Sequence, residues 1–253
     1  MSVPPGYERL LLGHAVAVAR TDFAFSIRRS LVGADGTRSR LHEFAARHHS
    51  ARALQGRSTA YAVTLPHAAA RVVVRHNRHG GLLGSLTGDL FFAPTRAPRE
   101  LNISLELSRL GVPTPDIIAY VVYPPGGLLQ RSDVVSKEIT GGRDLAEILL
   151  RDGAPERTAA FAATADLLSA MARAGARHAD LNAKNVLLTD GMAYVLDVDR
   201  VVLGEAPELA LEANVARLSR SLRKWRDRFS AHISEGDIAE FESSSRRALA
   251  LCR

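Results

Sequence analysis

Cysteine is almost absent from this chain of 253 residues: the single one, Cys252, stands next to the end. One thiol cannot build an internal disulfide framework or a cysteine-based zinc site, so a reducing cytoplasm is the expected setting. Long apolar runs are lacking too. Ile117 to Tyr123 is among the longest, far short of the roughly 20 residues a membrane span needs. The opening Met-Ser-Val-Pro-Pro-Gly has neither the basic start nor the apolar stretch of a secretory leader. Lysine is scarce. Only Lys137, Lys184 and Lys224 occur, so the net charge of +6 is carried by arginine. Such a surface suits nucleic acid, an anionic membrane face or phosphorylated ligands, and equally reflects a genome that favours arginine codons. Aromatics make up 6% of residues and the arginines are spread along the chain, which argues against a nucleic-acid partner.

The length allows one large domain or two small lobes, and the pattern predicts an α+β chain with a strand-rich first half and a helical second half. Gln55 to Leu65 reads as a turn entering a strand, and Arg71 to His76 as a second, β-branched one. A glycine-rich loop, 77 to 96, precedes a helix from Pro98 to Arg109 that Gly111, Pro113 and Pro115 stop. Ile117 to Tyr123 and Asp133 to Ile139 are further strands. After Gly141-Gly142 the character changes. Asp144 is placed to cap a helix, and Glu156 to Ala174 has a helical apolar period. Asp190-Gly191 turns a short hairpin between Val186–Leu188 and Met192–Leu196. Ala213 to Phe229 and Ile238 to Leu251 read as closing helices. One domain over 1–253 is expected, with lobes 1–138 and 139–253.

The sharpest signal is chemical. Residues 178 to 185 read His-Ala-Asp-Leu-Asn-Ala-Lys-Asn, and Leu-Asp-Val-Asp follows at 196 to 199. His178, Asp180, Leu181 and Asn185 fall in the register of the H-R-D-L-x-x-x-N loop of protein-kinase-like phosphotransferases, with Ala179 in place of arginine. Phosphoryl transfer needs a carboxylate at the attacking hydroxyl and oxygen ligands for Mg2+. Asp180 offers the first; Asn185 and Asp197 offer the second. Taken singly each residue is an ordinary turn or strand end, but the joint spacing around a hairpin is specific. His178 reads as a brace for the loop rather than an acid or base. Lys184 is placed either to reach the transferring group or to sit in solvent.

A kinase also needs a cation on the second strand of its first lobe, held by a helix carboxylate. No lysine precedes Lys137. Arg75 therefore takes that place, with Glu100 as the first choice of partner and Glu106 the second; arginine grips phosphate oxygens with two nitrogens. Gly56 and Ser58 lie in Gly-Arg-Ser-Thr, one glycine short of a phosphate-covering loop and thus a weak signal.

These residues resemble the lipopolysaccharide-core kinases, most closely those acting on 3-deoxy-D-manno-octulosonic acid (Kdo). The matching stretches include Gln55-Gly56-Arg57, Val73-Val74-Arg75-His76, Arg99-Glu100-Leu101, Lys137-Glu138-Ile139, His178 to Asn185 and Leu196 to Arg200. The resemblance implies a two-lobed protein-kinase-like fold and ATP-dependent, Mg2+-assisted phosphorylation of Kdo on a lipid A precursor at the cytoplasmic face of an inner membrane. Carried over by position, Asp180 is the base, Asn185 and Asp197 hold metal, and Arg75, Glu100, Gly56, Ser58 and Glu138 bind nucleotide. The anionic leaflet becomes an expected partner for the arginines. Lys184 stands where a histidine is expected and Val198 where a phenylalanine is, and neither change removes a catalytic atom. A heptose kinase, another small-molecule kinase and a pseudokinase binding module are the alternatives. A peptide kinase is disfavoured, because only about sixteen residues lie between Asp197 and the helix read from Ala213.

Overall fold

The structure, a computed structural model, describes residues 3–54, 59–77, 89–124 and 128–250. The chain divides into two compact units, Met1–Asn102 with Asp116–Glu138, and Ile103–Pro115 with Ile139–Arg253.

The first unit is built on an antiparallel sheet. Its path runs β1 (Tyr7–Leu11), β2 (Val16–Arg20), β7 (Ile117–Tyr123), β8 (Leu129–Lys137), β5 (Arg71–His76), β4 (Ala60–Thr64), β3 (Arg52–Leu54), and β6 (Phe91–Phe92) pairs the start of β8. β5 shows why these residues form a strand. Its Arg-Val-Val-Val-Arg-His sequence alternates half-buried and buried positions, the period-2 pattern that β-branched residues fit. Val72 and Val74 turn inward, where Ile27 and Leu31 of α1 (Ala24–Leu31) and Leu41 of α2 (Leu41–Arg47) close the core. The register sets Arg75 between Ala60 of β4 and Val134 of β8. α3 (Ala97–Arg109) starts in this unit and carries Glu100 in its first turn.

The second unit is mainly helical: α4 (Leu145–Arg151), α5 (Ala154–Arg173), α6 (Pro207–Phe229) and α7 (Glu235–Ala250). Leu168, Met171, Leu218, Leu222 and Phe241 are almost wholly buried in its core. The expected hairpin is there, β11 (Val186–Thr189) against β12 (Met192–Val195). Its turn residues Asp190 and Gly191 both have positive φ, 49° and 75°, as a two-residue hairpin turn requires. β9 (Arg143–Asp144) pairs β11, and β10 (Arg177–His178) pairs β13 (Val201–Val202).

Three expectations about elements are corrected. β1, β2, β3, α1 and α2 were not foreseen, so Arg75 stands on the fifth strand in chain order and not the second. β1 reads Tyr-Glu-Arg-Leu-Leu with one buried residue, a sheet edge whose polar face hides the strand signal. The strand expected over Asp133–Ile139 runs Leu129–Lys137. The helix read from Ala213 begins at Pro207, where proline in the first turn is itself a start signal. That leaves nine residues, 198 to 206, between Asp197 and the helix, still less room for a peptide-docking segment.

Candidate active site

In the second unit the chemistry is arranged around a buried histidine. His178 ends β10 and is fully buried. Its ring Nδ1 accepts the Asp180 backbone N–H at 3.0 Å, and its Nε2–H donates to the Leu196 carbonyl at 3.0 Å. With Nδ1 accepting, the proton sits on Nε2. Burial pulls the ring below its ordinary pKa, while the Leu196 hydrogen bond and the carboxylates of Asp197, Asp180 and Asp199 push the other way without reversing it. The ring is therefore neutral and acts as a staple, tying the loop of Asp180 to the strand end that leads into Asp197. Asn214, buried on α6, fixes the same place from below: its Oδ1 accepts the His178 N–H and its Nδ2 donates to the Ala176 carbonyl, both at 2.9 Å.

The loop after His178 is held by amide side chains. The Asp180 carbonyl accepts Asn182 Nδ2 and Asn185 Nδ2, each at 2.9 Å. Asn182 Oδ1 takes the Lys184 N–H at 3.0 Å, and Ser221 Oγ takes the Ala183 N–H at 3.1 Å. Because the nitrogen of the Asn185 amide is committed to Asp180, the amide is turned so that Oδ1 is the atom on offer to a cation.

Hairpin register does the rest. Val186 pairs with Val195, so Asn185 lies opposite Leu196, and the Leu196 N–H donates to the Asn185 carbonyl at 2.9 Å. Asp197 follows directly, with φ 54° and ψ 45°. Left-handed backbone at a residue other than glycine is uncommon and collects at functional sites, though aspartate tolerates it. One carboxylate and one amide oxygen are thus carried by adjoining strand ends. Among the described residues no three His, Cys, Asp or Glu side chains gather in metal-binding range. A Mg2+ held by one carboxylate, one amide, nucleotide phosphates and water needs no such cluster.

Lys184 is neither aimed freely nor loose in solvent. Its Nζ lies 2.9 Å from Asp144 Oδ2 and 5.6 Å from the centre of the Trp225 ring. Asp144 uses its other oxygen to cap α4, accepting the Glu147 N–H at 2.9 Å.

In the first unit, Arg75 Nη2 pairs with Glu100 Oε1, and the Glu100 side chain is only 4% exposed. Glu106, the second choice, pairs with Arg109 at 2.6 Å. Glu138 accepts Arg71 Nε at 2.7 Å and Arg52 Nη2 at 2.5 Å, and its own N–H donates to the Arg71 carbonyl; its carboxylate ties the ends of β3 and β5. Gly56, Ser58 and residues 78 to 88 of the expected glycine-rich loop lie outside the described residues.

Sequence reasoning missed a network beside Arg75. His76 donates from Nδ1 to Asp133 at 2.6 Å and from Nε2 to Asp89 at 3.0 Å. Asp133, fully buried, also accepts the Tyr123 hydroxyl and the His42 N–H, both at 3.0 Å. Burial alone would lower the imidazole, but Asp133 and then Asp89 outweigh it, and its pKa stands above the ordinary value. Asn214 was missed as well. Both depend on partners dozens of residues away, which no local pattern announces.

Residues 43–244 match the model of the lipopolysaccharide kinase (Kdo/WaaP) family. The chain belongs to that family. It is 33% identical over 189 residues to a 3-deoxy-D-manno-octulosonic acid kinase of Stenotrophomonas maltophilia (strain K279a), covering 73% of this chain and 74% of that one. A protein of the same name from Vibrio parahaemolyticus serotype O3:K6 (strain RIMD 2210633) is 32% identical over 189 residues, 73% of this chain and 77% of the relative. Among solved structures, WaaP in complex with acyl carrier protein superposes with a TM-score of 0.51 at 18% identity, covering 87% of this chain and 86% of that one. The fold of this family member is α+β and protein-kinase-like.

Proposed function

We propose that this protein is an ATP-dependent kinase that phosphorylates a hydroxyl of Kdo on a lipid A precursor in lipopolysaccharide core biosynthesis, its two units serving as the lobes of a kinase. The observation that carries the reading is the stapled loop: Asp180, Asn185 and Asp197 held by His178, Asn214 and the hairpin register. Kdo kinases at about one-third identity over most of the chain supply the acceptor class.

In this reading the acceptor oxygen attacks the γ-phosphorus and the bond to the β–γ bridging oxygen breaks. Asp180 orients the hydroxyl and takes its proton as the new P–O bond forms, and ADP departs. Asn185 Oδ1 and the Asp197 carboxylate are oxygen donors of the kind Mg2+ prefers, and Mg2+ held there would neutralise phosphate charge. Arg75, aligned by Glu100, grips phosphate oxygens in place of lysine. Gly56 and Ser58 would cover the phosphates. Glu138, read as a nucleotide-binding residue, anchors two strands through Arg52 and Arg71.

No helix among the described residues is long and apolar enough to cross a membrane. A lipid-linked acceptor therefore brings the protein to the bilayer as a peripheral visitor on the cytoplasmic face of the inner membrane. Basic residues near an anionic surface contribute about 1 kcal/mol each, so binding to anionic vesicles is expected to weaken as salt rises.

The test is transfer of labelled γ-phosphate from Mg-ATP to a Kdo-bearing lipid A precursor, run beside a heptosylated core acceptor and with Asp180→Asn as control. Label on the Kdo acceptor that vanishes in the control is the expected result. Label confined to the heptosylated acceptor would move the substrate, and no label with ATP still bound would make the chain a binding module.

A further inference from the structure

Helix α6 carries two sets of basic side chains, and only one set has partners. Arg223 pairs with Glu235 at 2.6 Å and with Glu242 at 3.3 Å, both on α7. Arg226 pairs with Glu235 at 2.5 Å and with Asp227 at 2.7 Å. Arg217, Arg220, Lys224 and Arg228 make no ion pair among the described residues. The last three of these are exposed and Arg217 is half-buried. None of the residues outside the described ones is an aspartate or a glutamate, so the chain holds no further acidic side chain to pair with them.

This arrangement works against the helix. Arg217 and Arg220 are three residues apart, and Lys224 is four from both Arg220 and Arg228, spacings at which like charges repel and weaken a helix. The helix dipole compensates Arg228 in the last turn, but Arg217 and Arg220, in mid-helix, gain nothing from it. From Ala213 to Arg226 the helix has no acid of its own. The acids that bracket this stretch are already engaged, Glu212 by Arg246 and Asp227 by Arg226. Cations held together without compensation favour an anionic ligand.

The stripe lies beside the loop of Asp180. At about 100° per residue, Arg217 and Lys224 fall within about 60° of Ser221 around the helix. Ser221 Oγ accepts the Ala183 N–H, and Asn214, on the same face, accepts the His178 N–H. Arg217 is one turn before Ser221, about 6 Å along the axis, and Lys224 about 4.5 Å after it. The face that braces the loop is thus flanked by unpaired cations.

We propose that Arg217, Arg220 and Lys224 form the acceptor subsite, gripping the anionic groups of an acidic, phosphorylated saccharide while the loop they flank presents Asp180 to its hydroxyl. The proposal rests on the kinase reading and adds to it the place where the acceptor is held. Three cations spread over about 10 Å of helix suit a ligand that carries several anionic groups along its length. An octulosonic acid joined to a phosphorylated lipid precursor is such a ligand: its carboxylate and phosphates are acceptors for guanidinium and ammonium donors. Proximity to the loop favours the saccharide itself over a lipid surface, because the attacked hydroxyl has to reach Asp180.

The test uses the full chain and the Kdo-bearing lipid A precursor stripped of its acyl chains, a soluble saccharide that presents its anions without a bilayer. Calorimetry gives its Kd in the absence of ATP, and phosphate transfer gives its KM. The double variant Arg217→Gln/Lys224→Gln is compared with Arg246→Gln/Arg247→Gln, which removes two exposed arginines of α7 already paired with Glu212 and Glu240. The expected result is a rise of roughly tenfold or more in Kd and KM for the saccharide in the first variant, and little change in the second. KM for ATP should hold, and Tm should not fall, since a repulsion has been removed. Equal Kd in the parent and the first variant overturns the proposal, as does a parent that does not bind the saccharide. A loss of binding that comes with a fall in Tm overturns it too, by making the stripe part of the fold. So does a defect seen only with the acylated precursor in vesicles, which would assign the stripe to the bilayer. Transfer with unchanged KM in the variant would sink this proposal and keep the kinase reading; binding that depends on the stripe, with no transfer, would do the reverse.

Discussion

The two units each bury a histidine, and they use it in opposite protonation states. His76, 6% exposed, donates from both ring nitrogens to carboxylates and is held as the charged imidazolium. His178, with no exposed surface, accepts a backbone N–H on one nitrogen and donates to a carbonyl from the other, and is held neutral. Burial disfavours charge in both. The partners decide the outcome: carboxylates repay the desolvation of an imidazolium, whereas backbone groups need one donor and one acceptor, which the neutral ring supplies. The contrast extends to role. In the proposed reading the first unit supplies Arg75, paired with Glu100, for an anion, and the second supplies oxygen atoms for a cation and a proton.

Kinetics offers the largest test of that division. Asp180→Asn removes the carboxylate proposed to accept the proton in the second unit and is expected to lower kcat by about 10²- to 10⁴-fold, with ATP binding nearly unchanged. Asp197→Asn should do similar damage and shift the Mg2+ dependence to higher concentration. Arg75→Ala, in the first unit, is expected to lower kcat/KM by about 10- to 100-fold, the size of one charge-assisted grip, with KM for ATP taking most of it. Arg75→Lys should recover part of that loss. If Arg75→Ala left KM untouched and Asp180→Asn raised it, the roles assigned to the two units would be reversed.

Next in size is a change that touches neither nucleotide nor acceptor. Asn214→Leu leaves the His178 N–H and the Ala176 carbonyl buried without their partner, at about 1–3 kcal/mol for each orphaned group. A fall in Tm with a comparable fall in kcat is expected, because His178 aligns Asp180. A stable variant of full activity would remove His178 and Asn214 from the positioning machinery.

The histidine contrast itself is read from stability against pH. The raised pKa of His76 means its contribution is fully present below the ordinary 6.5 and is lost as pH climbs through the higher folded value. The lowered pKa of His178 has the other sign: the unfolded chain takes up the proton first, so stability is lost as pH falls below 6.5 toward the folded value. Replacing His76 by Gln should flatten the alkaline side of the stability profile, and replacing His178 by Gln the acid side. Denaturant midpoints across pH 5 to 9 check both, and the same side flattened by both substitutions would break the comparison.

How much of this was legible in the chain follows from where the partners lie. Asp180, Asn185 and Asp197 fall within eighteen residues joined by a two-residue turn, so local spacing and hairpin register were enough to read them as one group. The β5 strand and α3 were readable for the same reason, through β-branched alternation in one and a proline start in the other. Arg75 and Glu100 are 25 residues apart, and that pairing was readable only because the chemistry of phosphate binding asks for it. The His76–Asp133 contact spans 57 residues and Asn214–His178 spans 36. Each joins elements that meet only in the folded unit, and nothing in the local sequence distinguishes those residues from surface polar ones. β1 escaped because an exposed edge strand has no apolar alternation to show.

The smallest expected effect bears on Lys184. If it reached the transferring phosphoryl group, its removal would cost catalysis as Arg75 does. Its Nζ instead pairs with Asp144 at 2.9 Å and faces the Trp225 ring at 5.6 Å, and half of its side chain is exposed. A screened pair contributes roughly 0.2–1 kcal/mol and an exposed cation–π contact about as much. Lys184→Ala is therefore expected to lower Tm slightly, more at low salt than at high, with kcat within a few-fold of the parent. Asp144 keeps its other oxygen on the Glu147 N–H, so α4 retains its cap in the variant. A hundredfold loss of kcat at unchanged Tm would instead place Lys184 beside Asp180 in the chemistry, and the anchoring of its side chain by Asp144 would then describe the enzyme at rest and not at work.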